Sequence, residues 1–305
     1  NPCGVDECRR RDGTVGLTVI EVVVTSHNQG DMVREAVESV LAQSVPATPL
    51  VVDDGSTDAL SLAVLVALES RGVRILRQSN AGVSAARNAG VAATTSPLVG
   101  VLDGDDAFEP TFLERAQQAM RDSDVIAASS WLMLVGVASG VVRPEGGELV
   151  DFLHRNACPA SALLRRNAFE RAGGYQVTMR HGFEDWDLFL AMLREGGRIE
   201  IVNEPLIRYR TVAGSSNVRS MDYRLDLFGE LIDRHRGSYD KHLREVLIAQ
   251  EGASMKRLAR WEELIVANAD LDPGEVTYGD GGVASLVRIQ SSRAAARQSY
   301  PAPQS

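Results

Sequence analysis

Between Val19 and Pro110 the chain alternates short β-branched runs with longer amphipathic stretches, and nothing else in it constrains the fold as tightly. "VIEVVVTS", residues 19 to 26, is apolar on both of its period-two faces, as a strand covered on both sides must be. "DMVREAVESVLAQSV" follows, with Asp31 as a candidate N-cap, Met32, Ala36, Val37, Val40 and Leu41 on one helical face, and Pro46 past its end. The pair then repeats. "PLVVDDGSTD" is a strand, "ALSLAVLVALES" a helix, "VRILRQS" a strand, "GVSAARNAGVAAT" a helix and "PLVGVLDGDD" a strand. Strands joined through helices run parallel, because the crossover returns the chain to the same end of the sheet. The fold expected is α/β, a mainly parallel sheet with helices on both faces.

In such sheets ligands bind outside the carboxyl ends of the strands, and that is where this sequence concentrates acids. Asp53 and Asp54 end the second strand; Asp103, Asp105 and Asp106 end the fourth. Three carboxylates this close raise one another's pKa, so something positive must offset them. One candidate is a hard divalent cation, Mn²⁺ or Mg²⁺, held by one or two carboxylates and shared with substrate phosphates. Gly104 between them would let a ligand approach the backbone. The alternative is a solvated turn in which Asp106 caps the following helix. Asp53 and Asp54 suit a nucleotide base or ribose hydroxyl, or simply a turn before a helix capped by Asp58. Arg87, on an otherwise small and apolar helix, suits a phosphate or one of the acid clusters. Glu184, Asp185 and Asp187 in "GFEDWDLFLAML" start a helix, where the dipole favours carboxylates and where Phe183 and Trp186 could dry one of them into a general base.

Past residue 110 the alternation lapses. Residues 125 to 155 read as irregular strands, "SALLRRNAFERAGG" as a helix ending at a Gly pair, "EDWDLFLAML" as a strongly apolar helix and "RIEIVNEPLIRYR" as a short strand. Asp222 to about Asn268 is amphipathic helix, within a C-terminal helical extension at 218–270; 271–305 reads as a flexible tail and 1–18 as an N-terminal tail. The uncharged stretch "VIAASSWLMLVGVASGVV", residues 125 to 142, is barely long enough to span a bilayer and is diluted by Ser and Gly, so buried strands fit it better than a transmembrane segment. A net charge of −9 argues against nucleic acid as a partner. Three cysteines, with no matching His or second pair, make neither a zinc site nor a disulfide framework, and with a polar N-terminal stretch they suggest a reducing cytoplasm.

Taken in order from Val19 to Ser216, "VVVTSHNQGDMVREAVESVLAQS", "VVDDGSTD", "NAGVSAARNAGV", "LDGDDAFEP", the "GGY" at Gly173 to Tyr175 and "GFEDWDLFLAML" resemble the inverting glycosyltransferases of family 2. The resemblance implies a Rossmann-like GT-A fold over 19–217, with a nucleotide-binding half at 19–110 and an acceptor half at 111–217. It implies a nucleoside diphosphate sugar donor, a UDP-sugar favoured, and an acceptor hydroxyl on a glycan, a lipid-linked compound or a small molecule. Asp53 would then hold the base with Asp54 nearby, and Ser26, His27 and Asn28 would flank it. Arg87 would lie by the diphosphate and Asp103 and Gly104 by the ribose. Asp105 would ligate the metal with Asp106 in support, and Asp185 would be the catalytic base. One element departs from the family pattern: in "YRTVAGSS" Val212 stands where many members carry a metal- or diphosphate-binding His, leaving Asp105 with the diphosphate, or Arg208, Arg210 or Ser215, to hold that end.

Other chemistries fit less well. "VLDGDDAF" approaches a haloacid-dehalogenase-type phosphohydrolase motif, but Ala107 sits where Thr or Val is needed and the only lysines are Lys241 and Lys256. The glycine motifs of nicotinamide dehydrogenases and P-loop nucleotidases are missing. A non-catalytic nucleotide-sugar-binding module of the same fold is the remaining alternative.

Overall fold

The computed structural model describes residues 19–212, 219–267, 278, 279, 282–284, 286–288, 290 and 291. The first half alternates as the sequence requires: β1 (Ile20–Ser26), α1 (Met32–Leu41), β2 (Ala47–Asp53), α2 (Ala59–Ser70), β3 (Arg74–Arg77), α3 (Val83–Ala92) and β4 (Leu98–Asp103). These four strands are parallel and lie in the order β3-β2-β1-β4. Period two then sorts the side chains of β1. Val22 and Val24 pack with α1 and α2 in one core, while Val23 packs with α3 on the other face. Each such valine is fully buried, which stabilises the fold by roughly 1.5–3 kcal/mol per side chain. Helix α3 lies close on the sheet: a Cβ at Gly90 would stand 2.2 Å from Val23 Cγ1, which is why its inner face is built from Ala and Gly.

Beyond β4 come β5 (Ala107–Phe108), α4 (Phe112–Ala119), β6 (Val125–Gly136), β7 (Gly140–Val142), α5 (Leu149–Phe152), β8 (Ala162–Arg165), α6 (Arg166–Ala172), α7 (Glu184–Leu193) and β9 (Arg198–Thr211). The sheet continues β4-β8-β6-β9-β5, with β7 hairpinned onto β6. Antiparallel partners enter here: β8 runs against both β4 and β6, and β5 against β9, while β6 and β9 are parallel. The stretch 125–142 is thus β6 and β7, and no helix among the described residues is long and apolar enough to cross a membrane. After a 3-10 turn at Met221–Tyr223, α8 (Arg224–Arg234), α9 (Arg236–Lys241) and α10 (Leu243–Ala267) form the C-terminal helices.

Four expectations change. "SALLRRNAFERAGG" is a strand followed at once by a helix, because Leu163 and Leu164 fill the gap between β4 and β6 and cannot turn into a helix before Arg166. "RIEIVNEPLIRYR" is part of a 14-residue strand, not a short one. Asp31 holds the N-cap position of α1 but accepts no capping hydrogen bond; it pairs with Arg34 instead. Finally, the reading of 271–305 as a flexible tail fails for its described residues. Residues 282–284, 286–288, 290 and 291 are helical, and Val283, Leu286 and Val287 join the core beside Tyr278. Their apolar face has a place to go on the sheet, which composition does not reveal. The stretch 1–18 and Ser215 lie outside the described residues.

Candidate active site

Register brings the first acids together. On β1, Ser26 is the partner of Asp53 on β2, and Thr25 is the partner of Asp103 on β4, so three strand ends meet in one row. Each acid has a different fate there. Asp54 Oδ1 accepts from Gln78 Nε2 (2.7 Å) and the Ala81 amide (2.8 Å), and its Oδ2 accepts from the Gly82 amide (2.8 Å). Its carboxylate therefore orders the loop between β3 and α3. Asp53 is also buried, and among the described residues only its Oδ1 is engaged, by the Ser56 amide at 3.0 Å. Asn28, in the left-handed region at φ 53°, accepts from the amides of Thr57 and Asp58 at 2.7 and 3.1 Å. His27 Nδ1 lies 2.9 Å from the Asp54 carbonyl. His27 and Asn28 thus pack against the loop that follows Asp53, and the Ser26 hydroxyl is buried nearby with no partner among the described residues.

Arg87 is the centre of charge. Only 2% exposed, it donates from Nη2 to Asp103 Oδ1 (2.7 Å) and from Nη1 to Glu184 Oε1 (2.8 Å), and its guanidinium lies over the Tyr175 ring 5.1 Å from the centroid. It therefore ties the "DGDD" turn to the "EDWD" helix, and of the two roles open to it the salt-bridging one is realised. Gly104 is required, though for a different reason than ligand approach. A Cβ there would stand 2.3 Å from both the Thr25 carbonyl oxygen and Gln29 Oε1, so the glycine lets the end of β4 pack against the end of β1. Asp106 does not cap α4, whose N-cap position is Thr111; its buried Oδ1 accepts from the Arg210 amide at 2.9 Å. Burial and the charges of Asp105 and Asp103 push its carboxyl well above the usual carboxylate range. Among the described residues no side chain donates to Asp105, and burial with the nearby Asp103 charge lifts its pKa to about 6. A cation would reverse both penalties. Arg210 instead serves the turn's backbone and Glu35, donating from Nε to the Asp105 carbonyl at 3.0 Å. Val212 is 44% exposed and supplies no ligand, and among the described residues no three His, Cys, Asp or Glu side chains form a metal cage. A metal here would need oxygens from its substrate.

Helix α7 sorts its three acids just as sharply. Glu184 pairs with Arg87, while buried Asp187 accepts from Arg234 Nε (2.7 Å) and Nη2 (3.0 Å) and lies 2.8 Å from His235 Nε2. Among the described residues Asp185 forms no ion pair, and it accepts there from Asn156 Nδ2 (2.9 Å) and the Trp186 amide (2.8 Å). Burial and the adjacent Glu184 charge raise its pKa to about 7. Phe183 enters the helix at φ 66°, a left-handed conformation rare for an aromatic residue, and its ring lies 5.1 Å from that of Trp186. Between Asp185 and the "DGDD" turn lies a cavity of about 180 Å³, whose walls include Asp103, Asp106, Asn156, Asp185 and Tyr278. Neither Asn156 nor Tyr278 stands out in the sequence. A lone Asn in a loop and a lone Tyr in a Gly-rich stretch carry no spacing signal, and only tertiary packing brings them to Asp185.

The profile of the family described as "Glycosyl transferase family 2" matches residues 21–173, half of the chain. The chain belongs to glycosyl transferase family 2. Among family 2 relatives, the "Succinoglycan biosynthesis protein ExoU" of Rhizobium meliloti is 31% identical over 230 residues, 65% of this chain and 65% of that protein, just under two thirds of its length. The "Succinoglycan biosynthesis protein ExoO" of the same organism is 26% identical over 93% of this chain and 90% of its own. Among solved structures, S. aureus TarS 1–349 in complex with UDP superposes with a TM-score of 0.55 at 17% identity, covering 75% of this chain and 70% of that one. The mannosyltransferase PcManGT from Pyrobaculum calidifontis, in complex with GDP-Man and Mn²⁺, gives 0.52 at 17% identity over 93% and 81%. These likenesses show the GT-A fold, with its glycosyltransferase sheet and surrounding helices.

Proposed function

We propose that this glycosyltransferase moves a hexosyl unit from a nucleoside diphosphate sugar, a UDP-sugar favoured, to an acceptor hydroxyl with inversion. The observation that carries the reading is Asp185. It is the one acid of its helix that forms no ion pair among the described residues, it accepts from Asn156, and it lines the same cavity as the "DGDD" turn. With a pKa near 7 it is matched to taking a proton at neutral pH. The acceptor hydroxyl gives its proton to Asp185 while its oxygen bonds the anomeric carbon, and the bond from that carbon to the diphosphate oxygen breaks on the opposite face. Attack and departure on opposite faces invert the anomeric centre.

On the donor side, Asp53 keeps its Oδ2 unengaged among the described residues for a base NH, with Ser26, His27 and Asn28 nearby in the chain and Asp54 ordering the loop before α3. Asp103 and the backbone at Gly104 face the ribose, and Arg87 keeps the whole acidic surface neutral enough to accept a diphosphate. Asp105, with Asp106 behind it, would fit Mn²⁺ or Mg²⁺, since among the described residues no cationic side chain pairs directly with its carboxylate and burial with Asp103 lifts its pKa. Such an ion supplies charge stabilisation to the departing diphosphate. The nucleotides held by the TarS and PcManGT structures, UDP, UDP-GlcNAc and GDP-Man, bracket the donors to try first. A free, buried Cys158 suits a reducing, cytoplasmic setting.

Thermal shifts with UDP, GDP and dTDP and their sugars, with and without Mn²⁺, test the donor assignment. One nucleoside diphosphate should raise the melting temperature in a metal-dependent way that Asp105→Ala abolishes. Product analysis then tests the stereochemistry. A retained anomeric configuration, or undiminished turnover in Asp185→Asn, overturns the mechanism.

A further inference from the structure

Helix α7 carries Asp185 in its first turn, and that turn lacks the usual support of a helix start. Its entry residue, Phe183, sits at φ 66° and supplies no side-chain cap, so the turn depends on what its own side chains reach. A carboxylate that must meet a substrate group needs its place fixed to within about 0.5 Å by neighbours that are themselves held. Those neighbours are held by three different elements. Glu184 accepts from Arg87 of α3 at 2.8 Å, the Trp186 indole donates to the Phe152 carbonyl of α5 at 2.7 Å, and Asp187 meets Arg234 and His235 at the junction of α8 and α9. Asp185 sits among them and lines the cavity.

The tie through Asp187 has the most bonds of the three. Its carboxylate, 1% exposed, accepts from Arg234 Nε at 2.7 Å and Nη2 at 3.0 Å, and lies 2.8 Å from Nε2 of His235, itself 4% exposed. Burial alone would raise this carboxyl, but the bonds from His235 and Arg234 outweigh it and hold it below the usual value. An ionised carboxylate only accepts, so His235 Nε2 carries the hydrogen. Around this grip the chain from Ser220 to Phe228 follows the start of α7. A Cβ on Gly182 would stand 2.8 Å from Ser220 Cβ, the Arg224 guanidinium lies over the Phe183 ring at 5.5 Å, and the rings of Phe228 and Trp186 are 5.5 Å apart.

Resting on the reading of Asp185 as the base, we propose that Arg234 and His235 are positioning residues of the transfer reaction: by gripping Asp187 they fix the first turn of α7, and with it the place of Asp185 against the acceptor hydroxyl. Neither residue lines the cavity, so both act through Asp187 and one turn of helix. The C-terminal helices thereby become part of the catalytic apparatus and not merely an appendage to it. A grip that only stabilised the fold would leave Asp185 as it is, provided the chain stayed folded, and that difference can be measured.

The test uses the full chain as wild type, Asp187→Asn, Arg234→Met, His235→Ala and His235→Gln, each also made with Asp185→Asn. Urea unfolding from pH 5 to pH 8 gives the stability difference within each pair, and its pH dependence gives the pKa of Asp185 in that background without any substrate. The titratable groups whose charge Asp185 feels, Glu184, Arg87, Tyr175, Cys158 and Tyr278, are the same in all of them. Charge and position predict different signs. If Asp187 and Arg234 acted on Asp185 only as charges, Asp187→Asn would lower its pKa and Arg234→Met would raise it. If they hold it in place, either change loosens the turn and admits water, and the pKa falls from about 7 by about one unit or more in both. His235→Ala should do the same, and His235→Gln, whose NH₂ replaces the Nε2 hydrogen, should recover most of the loss. Hydrolysis of UDP-glucose, UDP-GlcNAc and GDP-mannose with Mn²⁺ is the kinetic arm: kcat should fall about tenfold in Asp187→Asn and Arg234→Met with the donor KM within about twofold. Opposite pKa shifts in those two variants, no shift in either, or an undiminished kcat overturns the proposal. Should one of them not fold, the His235 pair decides, since no fall in His235→Ala or no recovery in His235→Gln overturns it equally. If wild type neither binds nor hydrolyses any of the donors, the transferase reading fails, while the titration still decides whether Arg234 and His235 hold Asp185.

Discussion

Asp185→Asn should abolish turnover and at the same time make the protein more stable, by an amount that depends on pH. Asp185 carries a pKa of about 7 against an ordinary value of 3.8, raised first by burial and then by Glu184. A carboxyl whose folded pKa lies above its unfolded one binds its proton more tightly when folded. The folded state therefore loses stability as pH rises from 3.8 towards 7, and the loss is constant above that. At about 1.4 kcal/mol per pKa unit, the penalty is about 4 kcal/mol at pH 8 and about 1.6 kcal/mol at pH 5. Asparagine removes the penalty but turns an NH₂ towards one of the two donors, Asn156 or the Trp186 amide, at about 1 kcal/mol. The variant should thus be more stable than wild type by about 3 kcal/mol at pH 8 and by less than about 1 kcal/mol at pH 5. Urea unfolding followed by tryptophan fluorescence at both pH values measures the difference, and comparing the two proteins at each pH cancels every other titrating group. A variant less stable than wild type at pH 8, or a difference that does not change between pH 5 and 8, would refute the raised pKa and with it the assignment of Asp185 as a base poised at neutrality.

Asn156→Ala removes a hydrogen bond that favours the ionised form of Asp185, so the ascending limb of kcat/KM against pH should move to higher pH. Turnover at pH 7 should fall by roughly one order of magnitude, less than the 10²–10⁴ that loss of a general base costs. Gly104→Ala drives a methyl group into the Thr25 carbonyl oxygen, which belongs to a central strand and cannot yield; urea unfolding should show a loss of about 1–3 kcal/mol. Arg87→Met keeps the volume but strands Asp103 and Glu184 without their shared cation, and should cost about 3–5 kcal/mol by the same measurement.

One physical division separates the features legible in the sequence from the hidden ones. Strand and helix periods along β1 to β4 are local properties, so those elements and the acids at their ends were legible. β8 was not, because Arg165 is both the last residue of the strand and the N-cap of α6, leaving no turn residue to mark the change. The residue types at the site were also legible, and their partners were not. Asp54 looks like a ligand beside Asp53 until Gln78, Ala81 and Gly82, more than twenty residues on, converge on it through the pairing of β2 with β3. Gly104 stands out in the sequence for want of a side chain, and the neighbours that leave no room for one are Thr25 and Gln29. Tyr278 sits in a stretch whose composition suggests disorder, and only the apolar spacing of Val283, Leu286 and Val287, at three and four residues, hinted at a docked helix.

A single rule separates the scaffold acids from the working ones. Every carboxylate at these strand and helix ends is costly to bury, so the fold supplies most of them with partners. Asp54 takes two amides and a glutamine, Asp103 and Glu184 share Arg87, and Asp187 takes Arg234 and His235. Once those are subtracted, Asp105, Asp106 and Asp185 form no ion pair among the described residues and have pKa values shifted upward, and only Oδ1 of Asp53 is engaged there. On the reading proposed above, a diphosphate-bound cation, an acceptor proton and a base NH would each relieve that unbalanced charge. The cost of burying these acids is then not a defect of packing, and ligands that complete the charge balance should stabilise the fold.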